Sequence, residues 1–144
     1  MPDVWCAGEL LVGGPAAGEL VALVEPVSFW GGVDDETGAI MDVRHPQHGT
    51  LLGGSALLLG ASRGSSSSAS TFLECVRRDT APAILLLTDP DTILVVGAAA
   101  AHELYGHGPS VVLLPDRPDP AGVGAVRLDG AGRLYAEPVA AKAG

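Results

Sequence analysis

Ala56-Leu57-Leu58-Leu59-Gly60-Ala61-Ser62-Arg63-Gly64-Ser65-Ser66-Ser67-Ser68-Ala69-Ser70-Thr71-Phe72-Leu73-Glu74-Cys75-Val76 changes character twice. Ala56 to Leu59 is a short apolar run, consistent with a buried strand. Ala69, Phe72, Leu73 and Val76 then fall at i, i+3, i+4, i+7, one face of a helix. Six of the nine serines lie between positions 62 and 70, so they sit at a strand–loop–helix junction. A serine run without such flanks would read as a flexible linker. Thr71 and Glu74 have capping-box spacing, which would start the helix a turn later.

Further strands and one further helix are expected on either side. Ala83 to Leu87 is a near-continuous apolar run, typical of a central strand. Asp89-Pro90 has helix-start chemistry, Asp as N-cap and Pro at the first helical position. Ile93, Val96, Gly97, Ala100 and Leu104 then share a helical face, and Gly106 can end the helix. Ser110 to Leu114 is another apolar strand. Val123 to Leu128 and Arg133 to Glu137 flank Asp129-Gly130-Ala131-Gly132 as a hairpin. Upstream, Gly13-Gly14-Pro15 is turn chemistry, and Glu19 to Val24 and Ile40 to Val43 are strand candidates. Pro26 to Asp34, which holds Phe29 and Trp30 beside two glycines, has neither period and is expected as an ordered loop. Val139 to Gly144 are expected to fray. About seven short strands and two helices fit a β-rich layered α/β domain better than a doubly wound sheet, which would need more helices.

Composition narrows the function. The chain has 144 residues and 14.5 kDa, the size of a single domain spanning 1–144. It is 47% hydrophobic but only 4% aromatic, so the core is aliphatic. Its net charge is −9, and Lys142 is its only lysine. Such a chain has no basic face for a nucleic-acid backbone or an anionic membrane. No uncharged apolar run reaches the ~20 residues of a membrane span. No basic residue precedes Arg44, so the start does not read as a signal peptide. A cytoplasmic location is expected. Cys6 and Cys75 are too few for a disulfide scaffold, or for a zinc or iron–sulfur site held by this chain alone. High hydrophobicity with few charges suggests that another surface covers part of this one.

Three stretches carry candidate chemistry. Arg63-Gly64-Ser65-Ser66 precedes a helix N-terminus, where free backbone N–H groups and the helix dipole suit an anion or a serine alkoxide, with Arg63 adding a fixed charge. A serine-rich cap or surface loop would look the same. Phe29-Trp30-Gly31-Gly32-Val33-Asp34 could wall a ligand, its glycines allowing close approach, or simply cover the core. His45-Pro46-Gln47-His48 offers two imidazoles, but Pro46 blocks a shared helical face and no acidic or Cys partner stands at metal-ligand spacing. His102 and His107 straddle the predicted end of the second helix, where a cation suits the dipole. No Ser-His-Asp order stands out, and His45 is the one candidate partner for a serine hydrolase.

In combination these pieces are more specific. Pro26-Val27-Ser28-Phe29-Trp30-Gly31-Gly32-Val33-Asp34-Asp35-Glu36-Thr37-Gly38, Asp42, His45-Pro46, Arg63-Gly64-Ser65-Ser66-Ser67, Ala81-Pro82-Ala83, Gly97-Ala98 and Glu103-Leu104-Tyr105-Gly106 follow one another in an order and spacing that resembles the small subunit of the aconitase X family, from about Gly18 to Leu114. Ser62 stands where that family usually has glycine, and Ser68-Ala69 where it usually has Gly-Ser. The resemblance implies the β-rich swivelling β/β/α domain of aconitase-type hydro-lyases. It implies a heterodimer with a large subunit that carries an iron–sulfur cluster, this chain binding none alone. It implies Ser65 as proton acceptor and Arg63 as stabiliser of its alkoxide or of the substrate. Ser28, Trp30, Gly31, Gly32, Gly64 and Ser66 would bind substrate. The family's hydroxy acids are cis-3-hydroxy-L-proline and 5-phosphomevalonate, and Trp30 resembles the group acting on the first. A non-catalytic anion-binding module is the alternative from outside enzymology.

Overall fold

The computed structural model describes residues 3–62 and 67–139. Among them are eight strands: β1 (Val4–Ala7), β2 (Glu9–Val12), β3 (Ala16–Ala22), β4 (Ala56–Leu59), β5 (Ile84–Leu87), β6 (Ser110–Leu113), β7 (Val123–Leu128) and β8 (Arg133–Pro138). There are two regular helices, α2 (Ser67–Arg77) and α3 (Thr92–Tyr105), and a single turn, α1 (Phe29–Gly32), in which Trp30 and Gly31 leave helical backbone angles.

The strands form one sheet in the order β1-β8-β7-β3-β4-β5-β6-β2. β3, β4, β5 and β6 run parallel, and antiparallel pairs flank them on both sides. The two edge strands, β1 and β2, are joined only by Gly8, so the sheet must curl until its edges meet. Glycine is required there: a Cβ on Gly8 would lie 2.3 Å from the Leu113 carbonyl oxygen. The Gly8 N–H closes the seam on Gly132 O at 3.0 Å.

Period-2 alternation sorts the central strands into two cores. Leu57, Leu59, Leu85, Leu87 and Val111 pack under α2 and α3 with Phe29, Phe72 and Leu94. Ala56, Leu58, Ile84, Leu86 and Val112 point inside the curl, against Val126, Leu128 and Leu134. Every residue of β4 and β5 is buried, which is why both read as unbroken apolar runs. The result is the expected layered β/β/α arrangement.

Several local expectations need correction. β1 and β2 lie upstream of the first strand expected from the sequence, Glu19–Val24. Ile40–Val43 is not a strand: residue 40 makes only an isolated bridge to Val33. Residues 23–55 instead cross over without sheet, held by turns such as Ile40 N–H to Thr50 O at 2.9 Å and Leu52 N–H to Gly38 O at 2.8 Å. α2 begins no later than Ser67, and Glu74 pairs with Arg77 and Arg78 rather than capping from a box. α3 is capped by Asp91, not Asp89. Its buried face is Leu94, Gly97, Ala98 and Ala101, with Val96 and Leu104 exposed. α3 is apolar almost all round, so spacing alone does not select a stripe. Gly97 does: a Cβ there would lie 2.9 Å from Phe72 Cδ1, so the two helices pack through that gap.

Candidate functional site

The carboxyl ends of parallel strands are where loops from neighbouring strands converge and where open α/β sheets bind ligands. Here β3, β4, β5 and β6 deliver residues 23–28, 60–62, 88–91 and 114–118 to that rim. Arg63, Gly64, Ser65 and Ser66 lie outside the described residues. What surrounds them is described on both sides.

On the far side, α2 begins beside the turn of α1. Ser28 precedes that turn in extended backbone. Its hydroxyl donates to Trp30 O at 2.9 Å and lies 3.3 Å from the hydroxyl of fully buried Ser68. Below, Phe29 and Phe72 meet edge to face, ring centroids 5.2 Å apart, a contact that ties the turn to α2. Gly31 has φ of 77° with open space where a Cβ would be, so conformation rather than crowding requires glycine. Gly32 is buried against Val27. Trp30 is 65% exposed and lines an open cleft of about 470 Å³ with Asp35, Ser67, Ser70, Thr71 and Glu74. The Arg77 and then the Arg78 guanidinium hold the Glu74 carboxyl down at about 2, so this wall of the cleft is an anion already neutralised. The structure thus brings Ser28, Trp30, Gly31 and Gly32 to the first turn of the helix that the serine run enters, forty residues on in sequence.

On the near side, Asp91 is 8% exposed. One oxygen accepts the Leu94 N–H at 3.0 Å and caps α3. The other accepts the Ser62 N–H at 2.7 Å and the Ser62 hydroxyl at 2.6 Å. Sequence reasoning missed this residue because Asp89-Pro90 satisfies the capping pattern first; the second acid of Asp89-Pro90-Asp91 was the available signal.

The rest of the rim is also held by side chains. Gln47 accepts the Val24 N–H and donates to Ala22 O, both at 2.9 Å. His45 is buried, with Nε2 on Glu25 O at 3.1 Å and Nδ1 accepting the Gln47 N–H at 3.0 Å. Both ring nitrogens are therefore occupied by backbone, which leaves His45 no lone pair for a hydrolase base. Arg117 donates to Leu23 O at 3.0 Å. Arg44, Arg77, Arg78 and Arg133 each sit by a carboxylate, and Arg127 lies 4.3 Å over the Tyr135 ring.

The cysteines do not form a cluster site. Cys75 lies in the helix-side core, whereas Cys6 packs on the core inside the curl. Burial pushes each thiol up to about 11, and a metal ligand must be a thiolate. Among the described residues no group of three or more His, Cys, Asp or Glu side chains could hold a metal ion. The described residues therefore do not fit an iron–sulfur cluster. No helix among them is long and apolar enough to cross a membrane.

Residues 6–129 match the family described as the aconitase X swivel domain. A cis-3-hydroxy-L-proline dehydratase of Pseudomonas aeruginosa is 41% identical over 109 residues, which are 76% of this chain and 19% of that protein. A phosphomevalonate dehydratase small subunit of Methanothermobacter thermautotrophicus is 34% identical over 88 residues, 61% of this chain and 67% of that protein. The chain therefore spans under a fifth of the first relative and two thirds of the second. The crystal structure of Thermococcus kodakaraensis aconitase X in its holo-form is similar with a TM-score of 0.76 at 27% identity, covering 92% of this chain and 97% of that one.

Proposed function

The chain belongs to the aconitase X swivel-domain family, and on that premise we propose that it is the small subunit of a hydro-lyase, supplying the base that removes a proton while water is eliminated from a hydroxy acid. Its partner is a large subunit that carries the iron–sulfur cluster, and its own part in the reaction is the proton. Removing a proton beside a carboxylate requires a strong base held in place. Ser65 is that base. Its alkoxide is stabilised by Arg63 and by the amide N–H groups of the loop that enters α2, whose dipole favours negative charge at that end.

The observation that carries this reading is the meeting of the Ser28–Gly32 turn with the first turn of α2, where the Ser28 and Ser68 hydroxyls are 3.3 Å apart. Two stretches distant in sequence, the Ser28–Gly32 turn and the first turn of α2, meet there. Ser28, Trp30, Gly31, Gly32, Gly64 and Ser66 form the substrate side of this half-site. The site is completed across a subunit interface, and a chain of net charge −9 that is 47% hydrophobic is suited to such a covered face.

The substrate is cis-3-hydroxy-L-proline. The 41% identity to a dehydratase of that name supports this, as does an exposed indole over the cleft, a suitable wall for a small ring. 5-Phosphomevalonate is the second reading, supported by relatives that are themselves separate small subunits. The test is co-purification with the large subunit, followed by a dehydratase assay on both hydroxy acids. Turnover of cis-3-hydroxy-L-proline is expected. Turnover of 5-phosphomevalonate alone would transfer the assignment to it. A chain that forms no complex and binds anions by itself would make it a non-catalytic binding module.

A further inference from the structure

We infer that Asp91 is a positioning residue for the reaction, anchoring Ser62 so that the base three residues on is presented in register. This rests on the reading of Ser65 as base. Capping a helix takes one side-chain oxygen, and Ser, Thr or Asn would serve. Asp91 uses only one of its oxygens for that purpose, on Leu94 N–H. Its second oxygen accepts two donors from Ser62, both at 2.7 Å or less. Three donors on two oxygens need an acceptor-only group, and a carboxylate is the side chain that provides it. Bonds to an ionised acceptor are the strong ones, and at 8% exposure water competes little for them.

The anchor is set on rigid ground. Thr88 N–H donates to Leu59 O and Asp89 N–H to Gly60 O, each at 3.1 Å, so the exits of β4 and β5 run side by side up to Ser62. At the other end of Arg63–Ser66, Ser68 is fully buried beside Ser28. The described residues that flank 63–66 are thereby held, Ser62 by Asp91 and Ser68 beside Ser28. A reacting group misplaced by ~1 Å can lose about a hundredfold in rate.

Asp91→Asn separates the two roles. The amide oxygen still caps Leu94, but the amide nitrogen is a donor facing the Ser62 donors. In the enzyme assembled from both subunits, kcat is expected to fall roughly ten- to a hundredfold, with KM nearly unchanged and Tm lowered by the unmet Ser62 donors. Ser62→Ala, which removes one of the two Ser62 donors and leaves the cap intact, is expected to lower kcat less, at wild-type Tm. Wild-type kcat in Asp91→Asn would overturn the inference, whatever its Tm. If Asp91→Asn lowers both kcat and Tm, Ser62→Ala decides: reduced kcat at wild-type Tm supports the anchor, and full kcat overturns it. Ser65→Ala in the same assembly keeps the two claims apart. An inactive Ser65→Ala beside a fully active Asp91→Asn sinks the anchor alone, whereas an active Ser65→Ala removes the base reading on which it rests.

Discussion

The amino ends of the parallel strands are joined backbone to backbone: Gly54 N–H to Ala81 O at 3.0 Å, Ala83 N–H to Ser55 O at 2.8 Å and Ser110 N–H to Ala83 O at 3.0 Å. At the carboxyl ends backbone bonds continue the ladders, Leu23 N–H to Leu58 O at 2.9 Å, Thr88 N–H to Leu59 O at 3.1 Å and Leu114 N–H to Leu87 O at 2.7 Å, and the loops beyond them are held by side chains: Gln47 and Arg117 on β3's exit, His45 on Glu25, Asp91 on Ser62. Between them lies a core buried on both faces. The amino rim has side-chain ties of its own, Ser55 to Leu52 O at 2.7 Å and Ser110 to Gly14 O at 2.6 Å, but both serines are buried at the strand starts. The carboxyl rim can be reshaped one side chain at a time while the ladders stay intact. That is the arrangement expected where a rigid scaffold presents functional loops.

The largest stability effect should come from between the rims. Phe72→Ala removes a fully buried ring that supports α1 and fills the gap at Gly97. It is expected to cost about 3–5 kcal/mol by denaturant unfolding. A much smaller loss would mean that the turn at Ser28–Gly32 does not depend on the core. Gly97→Ala should cost about 1–3 kcal/mol by overpacking against that ring, read as a lower urea midpoint at unchanged slope. Gln47→Ala sharpens the contrast between the ends. It breaks two rim hydrogen bonds whose groups can turn to water, so about 1 kcal/mol is expected, together with a clear rise in KM. A stability loss as large as that of Phe72→Ala would make the rim part of the core.

The smallest effect is acid dependence. Glu74 is held at about 2 in the folded chain against 4.5 for the free group, first by Arg77 and then by Arg78. Its contribution is fully present above 4.5 and is lost as pH falls towards 2. Burial alone would raise Asp129, but N–H groups of Arg133 and Ala131, the Arg133 guanidinium and the Tyr135 hydroxyl outweigh it and hold its carboxyl below the usual range. It acts in the same direction. Glu74→Gln should flatten the pH dependence of Tm in that window slightly, as exposed pairs contribute little.

Legibility in the sequence follows the same division. β4 and β5 are buried on both faces, so their apolar runs are unambiguous, and the β7–β8 hairpin carries its turn chemistry at Asp129–Gly132. α3 was placed but rotated wrongly, because Thr92–Tyr105 is apolar on most sides and its orientation is set by Phe72, a tertiary neighbour. Ile40–Val43 has strand composition but no partner strand, since residues 23–55 cross over through turns. Ser28, Trp30, Gly31 and Gly32 were legible as one stretch, and they stand at the first turn of α2, whereas Arg63, Gly64, Ser65 and Ser66 lie outside the described residues. The tie from Asp91 to Ser62 was not legible, because a hydrogen bond to a residue 29 positions away leaves no local pattern.

The proposal that this chain supplies the proton-abstracting base is tested most directly at Ser65. The direct measurement is turnover of cis-3-hydroxy-L-proline in deuterated water by the assembled enzyme, following loss of the α-proton for wild type and Ser65→Ala. The account predicts that Ser65→Ala still forms the complex at wild-type Tm but loses proton abstraction by about 10²–10⁴-fold. Proton abstraction at the wild-type rate in Ser65→Ala would contradict it.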